Sequence, residues 1–227
     1  MPTISQVTSL VSGVLVLIVL GSLYTFGAIT PYISSYLYYQ GEDVSTLQTS
    51  ITFTLAVVML NVGMPLATFA GRYLSNRIIC IISVCCLSGV VLITSFLTNF
   101  VLYVLIYGIL NGLSIGFGYI APVKNAYTHF PDRKGFAAGV CMSGFGFGSV
   151  IFNYIILELV NPDNVKVDPE THHFPKEIAD HLPYTLRILA LCYFGAGILG
   201  ALFIKPSKER KEIVSLMTEE DLDEVKK

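Results

Sequence analysis

Few side chains in this sequence are suited to chemistry, and their settings limit what that chemistry could be. His172 and His173 lie among Asp163, Asp168, Glu170, Glu177 and Asp180, with His181 following. Imidazoles beside carboxylates could hold zinc, but a zinc site takes about four ligands at tetrahedral spacing, and no such spacing is evident. The segment reads as a solvated loop. Ser143-Gly144 offers a hydroxyl inside an apolar run, as an intramembrane serine protease would need. That nucleophile requires a base to take its proton, and the histidines are placed in loops. Cys141 also occupies the position two before the serine, where a glycine would be expected. The five cysteines, Cys80, Cys85, Cys86, Cys141 and Cys192, show no disulfide or metal spacing and suit small packing residues. No metal, cofactor or catalytic residue is expected.

What remains are neutral polar side chains inside apolar runs: Tyr24, Thr25, Asn61, Tyr107, Asn111, Tyr119, Asn153 and Tyr154. Each could hold a solute or bond a neighbouring helix. Tyr24, Asn111, Tyr119 and Asn153 are the substrate-binding candidates. Ionisable residues at membrane depth usually mark ion or substrate paths. None falls in the interior of the expected spans, Arg187 standing at the outer edge of the last, which argues against a self-contained proton relay or voltage sensor.

The elements that must position these groups follow from where charge is missing. Charged residues make up 13% of the chain, against about 25% in soluble domains. No Asp, Glu, Lys or Arg occurs in residues 1–41, 44–71, 78–123, 136–157 or 188–204. About 20 apolar helical residues cross a bilayer. The pattern therefore predicts an all-α, polytopic membrane protein with six transmembrane helices at about 10–30, 51–70, 78–97, 101–120, 136–157 and 186–204. The uncharged block 78–123 is too long for one span and folds back at Thr98-Asn99-Phe100. Gly27 and Pro31 predict a bend where the first span leaves the membrane. The first run lacks the basic start and cleavage site of a removed signal peptide and is expected to be retained.

Lysine and arginine favour the cytoplasmic side. With both termini cytoplasmic, eleven of the fourteen fall inside, and only Lys166, Lys176 and Arg187 outside. Residues 1–204 would form the bundle and 205–227 a charged cytoplasmic linker or tail with a short amphipathic helix. The net charge of −2 gives no reason to expect nucleic acid as a partner.

Gly108, Gly112 and Gly116 recur every fourth residue, as do Gly135 and Gly139, then Gly144 and Gly148. Small residues at that spacing let helix backbones approach closely in lipid. The expectation is tight packing of the fourth span on the fifth, with Gly108, Gly112, Gly116, Gly139, Gly144 and Gly148 at the contact. Such a face could also let helices slide.

Phe130-Pro131-Asp132-Arg133-Lys134-Gly135, followed by Gly144, Gly146 and Gly148, resembles the loop between helices four and five, and helix five itself, of major facilitator transporters. The branch it most resembles holds the oxalate/formate antiporters and monocarboxylate transporters. Gly21 to Ile33 resembles the first helix of that branch. AGRYLSNRII, from Ala70 to Ile79, stands where the superfamily has Gly-x-x-x-Asp-Arg-x-Gly. Gly71, Arg72 and Arg77 are recognisable there, whereas Ser75 and Asn76 replace the acidic and basic pair and the second glycine is missing. In the family that aspartate joins a charge relay holding the outward-open state, so Ser75 implies a weakened or rebuilt latch.

The resemblance covers essentially the whole chain but only one of a transporter's two six-helix bundles. It implies transport of a small solute, an organic anion such as a monocarboxylate, with or without a coupling proton, by alternating access. Gly71, Arg72, Arg77, Phe130, Pro131, Asp132, Arg133 and Gly135 would be gating-loop residues. The partners implied are the lipid bilayer, the solute, and a second six-helix bundle: a missing half, a partner chain or a second copy. The alternative is a truncated, non-transporting membrane protein that scaffolds or regulates a partner or self-associates. The plasma membrane is the default location.

Overall fold

The computed structural model describes residues 3–204; the tail expected over 205–227 lies outside the described residues. Six helices are long and apolar enough to cross a membrane: α1 Ile4–Tyr39, α2 Thr46–Ala70, α3 Asn76–Thr94, α4 Phe100–His129, α5 Pro131–Val160 and α6 Lys176–Phe203. The described residues contain no strand. The protein is an integral, multi-pass membrane protein.

Local signals set the helix starts. Thr3 with Gln6, and Ser45 with Gln48, form capping boxes at the heads of α1 and α2, each satisfying amides that a first turn leaves without partners. Ser75 caps α3 by accepting from the Ile78 amide at 3.3 Å. Asn99 caps α4 by accepting from Leu102 at 3.1 Å, so the α3–α4 reversal sits at the expected polar triplet. Glu42 accepts from the Asn99 amide group at 2.8 Å and joins that reversal to the α1–α2 loop.

Two helices run well past their expected ends. Pro31 does not end α1, which continues to Tyr39. A proline removes one donor from the ladder, and the hydroxyls of Ser34 and Ser35 donate to its carbonyl at 3.0 and 2.7 Å. The irregular part of α1 lies upstream, where Gly21–Thr25 tightens into a 3₁₀ segment. α4 extends to His129 and contains a π-helical stretch, Val104–Asn111.

The bundle is organised by α1 and α4. α1 packs on α5 and α6, α4 packs on α2 and α3, α3 also packs on α6, and α2 and α3 scarcely touch. The glycines sit on two of these contacts, which differ from the expected one. A Cβ on Gly112 or Gly116 would overlap the backbone of Ala56 or Leu60 on α2, and Gly108 meets Leu55. A Cβ on Gly148 would overlap the Ile18 carbonyl on α1, and one on Gly144 would come 2.8 Å from that of Val14. Thus the α4 glycines face α2 and the α5 glycines face α1. Gly139 is exposed, and no atom of the described residues lies within 4 Å of a Cβ built on it, so it makes no close helix contact within this bundle.

The long loop between α5 and α6 is more than a solvated connection. Phe174 stacks on Tyr32 with centroids 4.4 Å apart, and its amide donates to Ser35 at 2.9 Å. His173 stacks on Tyr38 at 4.3 Å and is buried. The loop thereby covers the end of α1 that extends past the expected span. No group of three or more His, Cys, Asp or Glu side chains capable of holding a metal occurs among the described residues.

Candidate functional site: an aromatic wall across four helices

The wall begins with a missing side chain. A Cβ on Gly21 would overlap the Phe145 backbone, so glycine there lets α5 approach α1 closely. The 3₁₀ turn that starts at Gly21 then directs Leu23 and Thr25 inward while Tyr24 projects outward, 52% exposed. Its ring lies edge-on to Phe145 of α5 at 5.4 Å and tilted to Phe53 of α2 at 6.5 Å. Phe145 meets Tyr119 of α4 edge-on at 5.0 Å. Four helices thus contribute to one aromatic surface carrying two phenol hydroxyls and no charged side chain.

Such a surface suits a small solute with an apolar body and a hydrogen-bond acceptor. Phenol hydroxyls can donate to a carboxylate oxygen, while full neutralisation of an anion would need a cation from outside the wall.

The four binding candidates are therefore divided. Tyr24 and Tyr119 meet around Phe145. Asn111 is 1% exposed at the end of the π stretch, facing the bundle interior, and its Oδ1 has no protein partner. Asn153 is half-buried, about two turns along α5 from Phe145, and its Oδ1 also lacks a partner. Phe53 and Phe145 carried no sequence signal, because phenylalanine in an apolar span is ordinary. Among the other neutral groups, Thr25 donates to Ser22 O at 2.6 Å, Asn61 donates to Val57 O at 2.8 Å, and Tyr154 is exposed. Ser143 donates to Val140 O at 2.8 Å.

The gating-loop candidates gather at one end of the bundle. Gly71 closes α2, its amide donating to Ala67 O at 2.9 Å. The Arg72 guanidinium sits 5.7 Å from the Phe69 ring centroid, and Arg77 is exposed. Phe130 is half-buried and accepts from the Arg133 amide at 3.1 Å. Pro131, Asp132 and Arg133 form an exposed 3₁₀ turn, and Gly135 faces open space. Ser75, standing where the family carries an acid, serves a local purpose as the α3 cap.

A buried polar knot at this same end escaped the sequence reading. Asn125 donates to Ser9 Oγ at 2.8 Å, with both residues fully buried, and Gln6 donates to His129 O at 2.8 Å. The His129 ring nitrogen Nδ1 lies 2.9 Å from Asn125 O. His129 is therefore on the last turn of α4, not in a loop, and it ties α4 to the head of α1. Placing the span's end at residue 120 left Asn125 and His129 outside it.

No protein-family model matches the sequence. The chain is 26% identical over 247 aligned positions to "Apicoplast pyruvate carrier 1" of Toxoplasma gondii, covering 88% of this chain and 45% of that protein. It is 27% identical over 157 positions to "Uncharacterized MFS-type transporter YhjX" of Escherichia coli strain K12, covering 67% of this chain and 37% of the relative. The chain spans less than half the length of either relative. With six membrane-capable helices, the chain is thus similar to one protein named as a carrier and to another named as an MFS-type transporter.

Proposed function

We propose that this chain is one bundle of a secondary transporter that moves a small organic anion, a monocarboxylate in the first instance, by alternating access. Tyr24 carries the reading. A phenol half-exposed in the middle of an uncharged helix, against the rings of Phe53 and Phe145 with Tyr119 beyond Phe145, is a surface awaiting a solute. The name of the apicoplast relative supports pyruvate as the first substrate to try. The missing cation fits a site completed by a second six-helix bundle, with solute held midway between the two. The exposed loops around Arg72, Arg77, Asp132 and Arg133 would open and close against that second bundle.

Two measurements test the proposal. An antibody against residues 205–227 reports the mass of the native protein; about twice the 24.9 kDa of this chain is expected from the two-bundle architecture. The intact native protein, reconstituted in vesicles, should then take up labelled pyruvate or a related monocarboxylate, with a weaker response when Tyr24 is changed to Ala. Lack of uptake of any monocarboxylate would reject the substrate class. A native mass near 24.9 kDa would favour a self-associating or regulatory bundle.

A further inference from the structure

α2 and α3 diverge over α4 and leave a groove of about 460 Å³, lined by Leu66 of α2, Ile82, Cys86 and Ile93 of α3, and Leu110 and Phe117 of α4. The two serines on its floor are already satisfied. Ser83 donates to Ser114 O, and Ser114 donates to Leu110 O, both at 2.6 Å. The groove thus offers an occupant no free polar partner at hydrocarbon depth. Gly89 also lines it, with nothing within 4 Å of where a Cβ would stand.

One end of the groove is positively charged. Lys124 is exposed and follows Phe117 by seven residues, placing it on the same face of α4 about 10 Å nearer the membrane surface. Arg72, in the turn joining α2 to α3, and Arg77, in the first turn of α3, are both exposed at that same end. From residue 44 to 131 these three are the only charged side chains, and no Asp or Glu accompanies them. From Arg77 to Ile93 is about 24 Å of helix at 1.5 Å per residue, enough for an extended acyl chain. The lysine–arginine bias assigns this end to the cytoplasm, where the leaflet holds anionic lipids.

We propose that the groove binds an acyl chain of an anionic phospholipid whose phosphate is held by Lys124 with Arg72 or Arg77. The chain supplies the apolar match and the headgroup the charge match. Neither a soluble anion nor a zwitterionic lipid satisfies both.

The test is lipid retention by the purified protein, read by native mass spectrometry after delipidation and titration with phosphatidylglycerol or phosphatidylcholine. Phosphatidylglycerol should be retained several-fold better. Lys124→Gln should reduce that preference by about fivefold, as removal of one basic side chain near an anionic surface predicts. Gly89→Leu should fill the groove and lower retention of both lipids. Lys166→Gln, at the opposite end, should change nothing. Lys124 and Lys166 are exposed, so those variants keep the test decisive if Gly89→Leu fails to fold. Equal retention of the two lipids by the unmodified protein would overturn the proposal. So would an unchanged preference in Lys124→Gln, displacement of the lipid by inorganic phosphate, or undiminished retention in a folded Gly89→Leu.

Discussion

The α1–α5 and α4–α2 contacts solve one packing problem with opposite distortions. In each, glycines on facing helices let backbones meet: Gly21, Gly144 and Gly148 in the first, Gly63, Gly112 and Gly116 in the second. Each pair joins the leading helix of one run of three, α1 or α4, to the middle helix of the other, α5 or α2, so the two pairs match in chain order. Yet α1 is over-wound at Gly21–Thr25, while α4 is under-wound at Val104–Asn111. The tight segment turns Tyr24 out to the surface. The wide one keeps Tyr107 and Asn111 buried, with the Tyr107 ring stacked at 5.6 Å on that of Tyr103, the buried residue just before the segment. Similar glycine packing accompanies an exposed phenol on one side and a buried polar interior on the other.

The sharpest way to break this comparison is to add bulk at each contact. Gly148→Leu and Gly112→Leu should each destabilise the bundle by about 1–3 kcal/mol or more, since inserted carbons would overlap backbone. Gly139→Leu adds the same volume in open space and should stay within about 0.5 kcal/mol of the parent. Thermal unfolding in detergent measures all three. If Gly139→Leu costs as much as the others, the glycine contacts are not specific.

Function should separate the distortions next. In the intact transporter, Tyr24→Ala should weaken apparent monocarboxylate affinity about tenfold, the scale of one hydrogen bond to a charged group. Asn111→Leu should leave affinity unchanged, because its side chain faces the interior. The reverse result would move the site from the tight segment to the wide one.

A stability comparison comes third. Asn125→Leu breaks the bond to Ser9 and should cost about 1 kcal/mol. Asn111→Leu removes an Oδ1 that has no protein partner and should be neutral or stabilising. Equal losses would show that Asn111 holds an ordered water instead.

The smallest effect concerns the loop over the end of α1. Burial lowers the His173 pKa from its ordinary 6.5, with Asp43 opposing and His172 reinforcing the shift. Protons therefore favour the undocked loop. Docking should be fully stabilised above the free-histidine value and should weaken as pH falls through it toward the lowered one. Amide protection over residues 165–175, taken relative to the base-catalysed intrinsic exchange rate at each pH, should fall modestly from pH 7.5 to 5, and His173→Phe should flatten that response. Greater protection at the lower pH would contradict the sign.

Helix count was legible because charge-free runs leave little choice in lipid. Helix ends were less so. Pro31 looked like a terminus by its local chemistry, but α1 continues past it to Tyr39, where the α5–α6 loop docks on Tyr32, Ser35 and Tyr38. Lys124 ended the apparent fourth span by charge alone, although α4 continues to His129. The site was half visible. Tyr24 and Tyr119 stood out as polar groups among apolar ones, whereas Phe53 and Phe145 look like any buried ring until four helices bring them together.

By itself the sequence determined that this protein lies in a membrane, how many times its helices can cross, and which residues crowd one end with charge. Those properties follow from transfer free energy, which adds residue by residue along the chain. Tertiary structure alone decided which helices the glycines join, which hydroxyls are exposed, and where the groove lies. Packing depends on the rotation and crossing of helices, and a residue or two of tightening or widening, as in α1 and α4, redirects every side chain beyond it.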